Sequence, residues 1–276
     1  TPPTTKVDNM KRLASTLDRV LCGVALTALS TCNQPTVTLQ PPGAALVVHR
    51  PALYPETIEY DKARDRFLLS SFRDGAIYAI DANGNATALV NDARLCSVLG
   101  IAVDRSRDRV WAVSSDLGAS ARPSAAGPKQ LAAVGVYDAA SGKALDYVDL
   151  SSLLPGPHLL NGIAVDSAGN AYVSDSFAPA LYRIDTAGHA SVFVRSEQFS
   201  GEGINLNGLA VHPDGYLLVV KKSDGSLFKV PLAAPARFSK VRVDRTFVGG
   251  DGLTLTGPRS LVVIANRTPK KASNTA

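Results

Sequence analysis

The sequence predicts an all-β chain organised as an incomplete β-propeller of about four and a half blades. Three observations predict it. A unit of lead residue, short apolar strand, Asp- or Gly-containing turn and second apolar strand occurs five times, led by Glu56, Leu99, Asn161, Asn207 and Asp251. The leads are spaced 43, 62, 46 and 44 residues apart, and periods in the forties with several short strands per unit indicate propeller blades rather than a helical solenoid. No long stretch after the leader carries helical apolar periodicity.

The chain divides into a leader over residues 1–34, the propeller over 35–267 and a tail over 268–276. Met10 is the only methionine, and the polar residues before it read as upstream translation or a fragment edge. Lys11, Arg12 and Arg19 followed by the apolar residues 20–29 have the pattern of a secretory leader, too short to span a bilayer. Leu29-Ser30-Thr31-Cys32 resembles a bacterial lipobox, so the chain is expected to be exported and Cys32 is a possible lipid anchor. A Pro-, Thr- and Gln-rich tether over 33–43 leads to an apolar strand over 44–49 without a partner in the first repeat; it is expected to complete the last blade.

The third unit shows four strands best: 163–165, 171–174, 180–184 and, after the turn at Asp185-Thr186-Ala187-Gly188, 190–194. The first unit matches it at 77–81 and 86–90. Strands one and two are apolar on both faces, which fits burial between neighbouring blades. The long second step holds an insertion rich in Gly, Ala, Ser and Pro over 116–131, expected to lie as a lid over the mouth. After Asn266 no third or fourth strand of the fifth unit follows, so the chain reads as truncated relative to a six-bladed parent or frameshifted near Thr268, the alternative being a true small propeller.

With 45% hydrophobic and 19% charged residues, the composition is that of a globular chain and excludes a disordered one. The net charge of +5 is scattered, and runs such as 64–66 and 105–109 mix both signs at turn tips. That excludes the basic stripe of a nucleic-acid binder. Three cysteines are too few for a disulfide scaffold; only Cys32 and Cys96 are candidates to pair.

In a propeller, strand one of each blade lines the central channel, so a residue just before it sits at the channel mouth. Glu56, Asn161, Asn207 and Asp251 then converge from four blades. Two carboxylates and two amide oxygens form a hard, oxygen-only site suited to Ca²⁺, though another divalent cation is possible. The competing reading is that Asn-Gly and Asp-Gly are turn formers. Loops between strands two and three share this face, starting near Ser71, Ser115, Asp175, Lys221 and Asn266. Ser71, Phe72, Arg73, Asp175, Phe177, Lys221 and Lys222 are the candidates for a substrate pocket wall.

Pro55-Glu56, Leu160-Asn161-Gly162, Leu206-Asn207-Gly208 and Gly250-Asp251-Gly252 resemble the metal-binding positions of the senescence marker protein/gluconolactonase (regucalcin-like) family of six-bladed propellers. The resemblance implies a Ca²⁺-dependent hydrolase of a lactone, ester or phosphotriester. It implies Asp251 as a metal ligand alone or also as nucleophile, hence the catalytic candidate. Family members often place a catalytic histidine near the metal, whereas His49, His158, His189 and His212 lie outside the lead column. The alternatives are a non-catalytic propeller binding a ligand or protein at the mouth and, less favoured, a metal-free repeat scaffold.

Overall fold

The strands sort into sheets in chain order, each meandering outward from an inner strand. In this computed structural model, residues 45–244 and 246–266 are described. The leader, Cys32 and the tail fall outside them. Blade one comprises β1 (Pro55–Asp61), β2 (Arg66–Ser71), β3 (Ala76–Ile80) and β4 (Ala86–Val90). Blade two comprises β5 (Ser97–Asp104), β6 (Arg109–Ser115), β7 (Ala132–Asp138) and β8 (Ala144–Asp149). Blade three is β9 (Leu160–Val165), β10 (Ala171–Asp175), β11 (Ala180–Ile184) and β12 (Ala190–Arg195). Blade four is β13 (Leu206–His212), β14 (Tyr216–Lys221), β15 (Leu227–Pro231) and β16 (Ser239–Lys240). β17 (Gly250–Gly257) and β18 (Ser260–Ala265) form a two-stranded fifth sheet. The chain is therefore all-β, an incomplete propeller.

The blades stack because their strands are apolar on both faces. In β6, Val110 and Ala112 join Leu68, Ile77 and Ile101 between blades one and two, while Trp111 and Val113 join Ile163, Val173 and Tyr182 between blades two and three. One strand thus feeds two cores by the period-two alternation of its side chains. Between blades three and four, Tyr172 and Leu181 meet Phe199, Leu209 and Phe228. Each fully buried large side chain contributes roughly 1.5–3 kcal/mol.

Turns at the far end from the mouth are ordered by aspartates. Asp81, Asp166 and Asp185 each accept backbone N–H groups from residues ahead of them in the turn. The mixed-charge runs tie blades together there. Arg64 bridges buried Asp61 at 3.3 Å and Asp108 of blade two at 2.5 Å, and Arg107 pairs with buried Asp104 at 3.2 Å.

The same irregularity recurs at the head of every inner strand. The ladders skip between Pro55 and Ile58, Val98 and Ile101, Leu160 and Ile163, Leu206 and Leu209, and Gly250 and Leu253. Three residues of the inner strand face two of its partner at each place. A β-bulge of this kind re-aims a side chain out of the sheet. The lead residue and its successor occupy the bulge in all five sheets, so the five leads are structurally equivalent.

Four of the five successors are glycine, and the reason is close approach between blades. A Cβ on Gly100, Gly162 or Gly208 would lie 2.3, 2.7 or 2.1 Å from the lead carbonyl oxygen of the next blade. Blade one has Thr57 instead, whose Oγ1 donates to the Leu99 carbonyl at 2.6 Å. In blades one and three a serine joins the bulge to the next blade. Ser70 accepts from Thr57 N and donates to Leu99 O; Ser174 accepts from Gly162 N at 2.9 Å and donates to Asn207 O at 2.6 Å.

Residues 45–50 carry no strand, which differs from the sequence expectation. The His49 amide donates to Gly84 O at 3.0 Å, and Val48 packs with Leu53, Tyr78 and Ile80 on blade one. The two end faces of the stack keep large apolar side chains in solvent: Ile58 (58% exposed) on blade one and Ile264 (56%) on the fifth sheet. There a Cβ on Gly252 would meet nothing nearer than 3.8 Å.

That contrast sets a test. Gly208→Ala forces a methyl into the Asp251 carbonyl and should destabilise the chain by about 1–3 kcal/mol. Gly252→Ala should stay within about 0.5 kcal/mol of the parent. Chemical denaturation of the two variants decides; equal midpoints would show that the inter-blade approach carries no constraint.

Candidate functional site at the channel mouth

The bulges of β13 and β17 bring two of the oxygen-bearing leads, Asn207 and Asp251, into contact. Asp251 Oδ1 accepts Asn207 Nδ2 at 2.6 Å and Lys222 Nζ at 3.0 Å, and Asp251 Oδ2 accepts Asn266 Nδ2. Glu56, reaching in from blade one, feels the same charges. Desolvation, then the negative charge of Asp251, raises its carboxyl above the ordinary range, and the Lys222 ammonium pulls it back. By surface area Glu56 remains exposed at this concave mouth, so a ligand can reach it.

Hydrogen-bond logic fixes both amides. The Asp251 carboxylate only accepts, so Asn207 must give it its NH₂ group. Ser176 spends its proton on the Leu206 carbonyl at 2.6 Å. Its oxygen must then accept from Asn161 Nδ2, at 3.2 Å. Both amides thereby keep their NH₂ groups occupied, and among the described residues no donor reaches either amide oxygen. Leu99, the fifth lead, is 3% exposed and gives blade two an apolar contribution at this level.

Among the described residues no three His, Cys, Asp or Glu side chains cluster as metal ligands. The lead column has a different donor set, two carboxylates and two amide oxygens. Hard, oxygen-only donors of this kind fit Ca²⁺ and do not fit zinc, which prefers nitrogen and sulfur.

The pocket-wall candidates divide by register. Ser71, Asp175 and Lys221 end β2, β10 and β14 and are buried, with their polar groups spent inside the fold. Ser71 Oγ donates to Leu53 O at 2.7 Å. Lys221 Nζ donates to Gln198 O and Ser200 O and pairs with Asp224. Asp175 accepts from Leu159 N, Phe177 N and Ala178 N and holds His158 Nδ1 at 2.7 Å. The residues one place further on, Ser176, Lys222 and Asn266, are the ones bonded to the lead column. Phe72, at the same place in blade one, is half-buried and donates its backbone N–H to Tyr54 O. Phe177 is half-buried beneath the Lys129 ammonium, 5.6 Å from its ring centre, and Arg73 is exposed.

Two of the histidines, His158 and His212, are buried and structural. His158 is buried, its other ring nitrogen 3.0 Å from Leu154 O, and Asp175 raises its pKa above the ordinary value. His212 bridges to Pro258 O at 2.8 Å and stacks on Tyr216. His189 is exposed beside Asp185.

The insertion at 116–131 is strapped across this end of the first three blades. Ala121 N donates to Arg73 O of blade one at 2.8 Å, and Lys129 O accepts from His158 N before blade three at 2.8 Å. Buried Asp116 folds the loop on itself by accepting Gly118 N and Ser124 N. Ser120 Oγ donates to the carbonyl of buried Cys96 at 2.8 Å.

No family model and no curated protein matches this chain. Solved structures match its fold. A protein provisionally named a gluconolactonase aligns with TM-score 0.52 at 18% identity, over 74% of this chain and 69% of its own. Virginiamycin B lyase from Staphylococcus aureus aligns with TM-score 0.57 at 12% identity, over 80% of this chain and 73% of its own. A Bacteroides thetaiotaomicron protein of unknown function gives 0.56 at 15%, over 75% and 56%. These likenesses establish the propeller fold.

Three residues along β1 from the mouth, Glu59 alternates away from exposed Ile58 and Tyr60, toward blade two. Burial pushes its carboxyl from 4.5 up to about 7, against the pull of Arg105. A raised acid destabilises the fold wherever it must ionise. The cost is absent below about 4.5, grows as pH rises toward 7 and is constant above that. Glu59→Gln should therefore raise the melting temperature at pH 8 and leave it unchanged at pH 4. A variant that is no more stable than the parent at pH 8 would place Glu59 in water.

Proposed function

We propose that the chain forms the body of a divalent-cation-dependent hydrolase of the gluconolactonase type, acting on a lactone, ester or phosphotriester at the channel mouth. The observation that carries this reading is the locked orientation of Asn161 and Asn207, which leaves two neutral oxygens free in the column that also carries the two carboxylates. The likeness to a protein named a gluconolactonase adds support at the level of fold. The reading takes Ca²⁺ as the cation and Glu56, Asn161, Asn207 and Asp251 as its holders.

A bound divalent cation would polarise the carbonyl or phosphoryl oxygen of the substrate. The chain's own contribution is placement. Asn207 and Asn266 clamp the two oxygens of Asp251, which fixes the carboxylate's plane. With three donors on it, Asp251 is better suited to holding charge in place than to nucleophilic attack. Glu56, in blade one, interacts with the Asp251 charge across the mouth. Export through the leader belongs to the same proposal, and cell fractionation tests it; retention in the cytoplasm would remove that part.

One observation favours a second reading, a non-catalytic propeller that binds a ligand at its mouth. Lys222 already supplies a positive charge to Asp251, so the site is partly compensated without any metal.

Calcium titration by calorimetry, with melting followed in parallel, separates these readings from a bare scaffold. Calcium at a hundredfold excess over Kd should stabilise the fold by about 2.7 kcal/mol. Asp251→Ala should abolish most of that gain, Asn161→Ala less, and Leu99→Ala should leave affinity unchanged while lowering basal stability. Turnover of aryl esters and lactones that is lost on adding a chelator then identifies the hydrolase. If no divalent ion binds, or Asp251→Ala binds as well as the parent, the metal site and the hydrolase reading fall together.

A further inference from the structure

We infer that Lys222 is a tethered internal cation that holds the Asp251 carboxylate when no metal is bound and must be displaced for a divalent ion to enter. The inference rests on the cation-dependent reading above and names the residue that sets the affinity of that site.

Four features of the structure carry it. First, the ammonium sits on the atom in question, Nζ 3.0 Å from Asp251 Oδ1. Second, it is the charged partner of that carboxylate: the other side chains bonded to Asp251, Asn207 and Asn266, are neutral amides. Third, its backbone is anchored while its side chain reaches solvent. Lys222 N donates to Asn205 O at 2.8 Å and Lys222 O accepts from Gly249 N at 2.9 Å, pinning the residue between blade four and the fifth sheet. The four-carbon arm beyond is 24% exposed, so solvent lies beside it. Fourth, the neighbouring lysine shows what a structural lysine looks like here: buried Lys221 divides its ammonium among Gln198 O, Ser200 O and Asp224. Among the described residues, the Lys222 ammonium has Asp251 as its one hydrogen-bond partner.

The electrostatics follow. With Lys222 in place, Asp251 does not face Glu56 as a bare charge, so repulsion in the metal-free site is reduced. A divalent ion bound to the same carboxylate oxygen would confront the ammonium at short range in a partly desolvated pocket, where charges interact far more strongly than in water. Ion and ammonium therefore exclude each other. Part of the binding energy of the ion is spent releasing Lys222, which weakens its apparent affinity.

Two measurements on the whole chain test this, with Ca²⁺ alone as the probe. Lys222→Met keeps the length and apolar stem of the arm but removes the charge; it should bind Ca²⁺ at least tenfold more tightly than the parent. Lys222→Arg keeps the charge and should bind no more tightly. Melting curves without calcium confirm that each variant folds. Independently, acetylation of lysines mapped by mass spectrometry should show Lys222 reacting faster when Ca²⁺ is added, with exposed Lys229 unchanged. Calcium binding by the parent with no gain in Lys222→Met and no change in Lys222 reactivity would overturn the inference and leave the metal site standing. Failure of parent and Lys222→Met alike to bind would remove the metal site itself. Binding by Lys222→Met but not by the parent would support the inference most strongly.

Discussion

Everything at the channel mouth depends on how closely each blade's backbone approaches the lead carbonyl of the next. The bulge at the head of the inner strand makes the approach possible. It lifts the lead residue out of the ladder and leaves its successor no room for a side chain in blades two, three and four. Where the successor is Thr57, a hydroxyl bond replaces bare contact. The Asn-Gly and Asp-Gly pairs are consequently strand residues in bulges. The glycine sets the spacing between blades, and between blades four and five that spacing brings the leads Asn207 and Asp251 within bonding reach.

Much of this was legible in the sequence because the repeat is long and the pattern within it is strong. The five leads could be aligned by eye, and the strand pairs of the first and third units follow from their alternation. The end of strand two was harder. Side chains alternate across a strand, so an error of one residue moves a candidate from the mouth into the blade. Asp175 and Lys221 spend their polar groups inside the fold, while Ser176 and Lys222 bond to the lead column. A pairing register counted from the bulge would have separated them; apolar runs alone do not. The His158–Asp175 latch was also hidden, since a histidine before strand one and an aspartate after strand two are partners only once the blade has folded. The ties made by the insertion to blades one and three lack any sequence signal, because most of them use backbone groups.

If a divalent ion enters as proposed, the charge pattern gives the mouth two states. Two facing carboxylates would be costly if left alone, and Lys222 offsets that cost through a single flexible arm. Asn207 and Asn266 orient Asp251 through donors that carry no net charge. They fix the geometry and leave the charge balance to be decided between the ammonium and an incoming ion. The far end of the propeller is handled differently. Its arginines are paired with buried aspartates of their own blade, and Arg64 also with Asp108 of the next, so their charges serve to hold turns together.

The most direct measurement of the central claim, that the bulges aim four oxygen-bearing side chains at one point, is an anomalous difference map from a crystal soaked in a lanthanide chosen to stand in for Ca²⁺. The account predicts one dominant peak at the mouth, within about 2.3–2.6 Å of oxygens from Glu56, Asn161, Asn207 and Asp251, with the Lys222 ammonium withdrawn. A peak held by other residues, or a well-diffracting soaked crystal with no peak at the mouth, would contradict it.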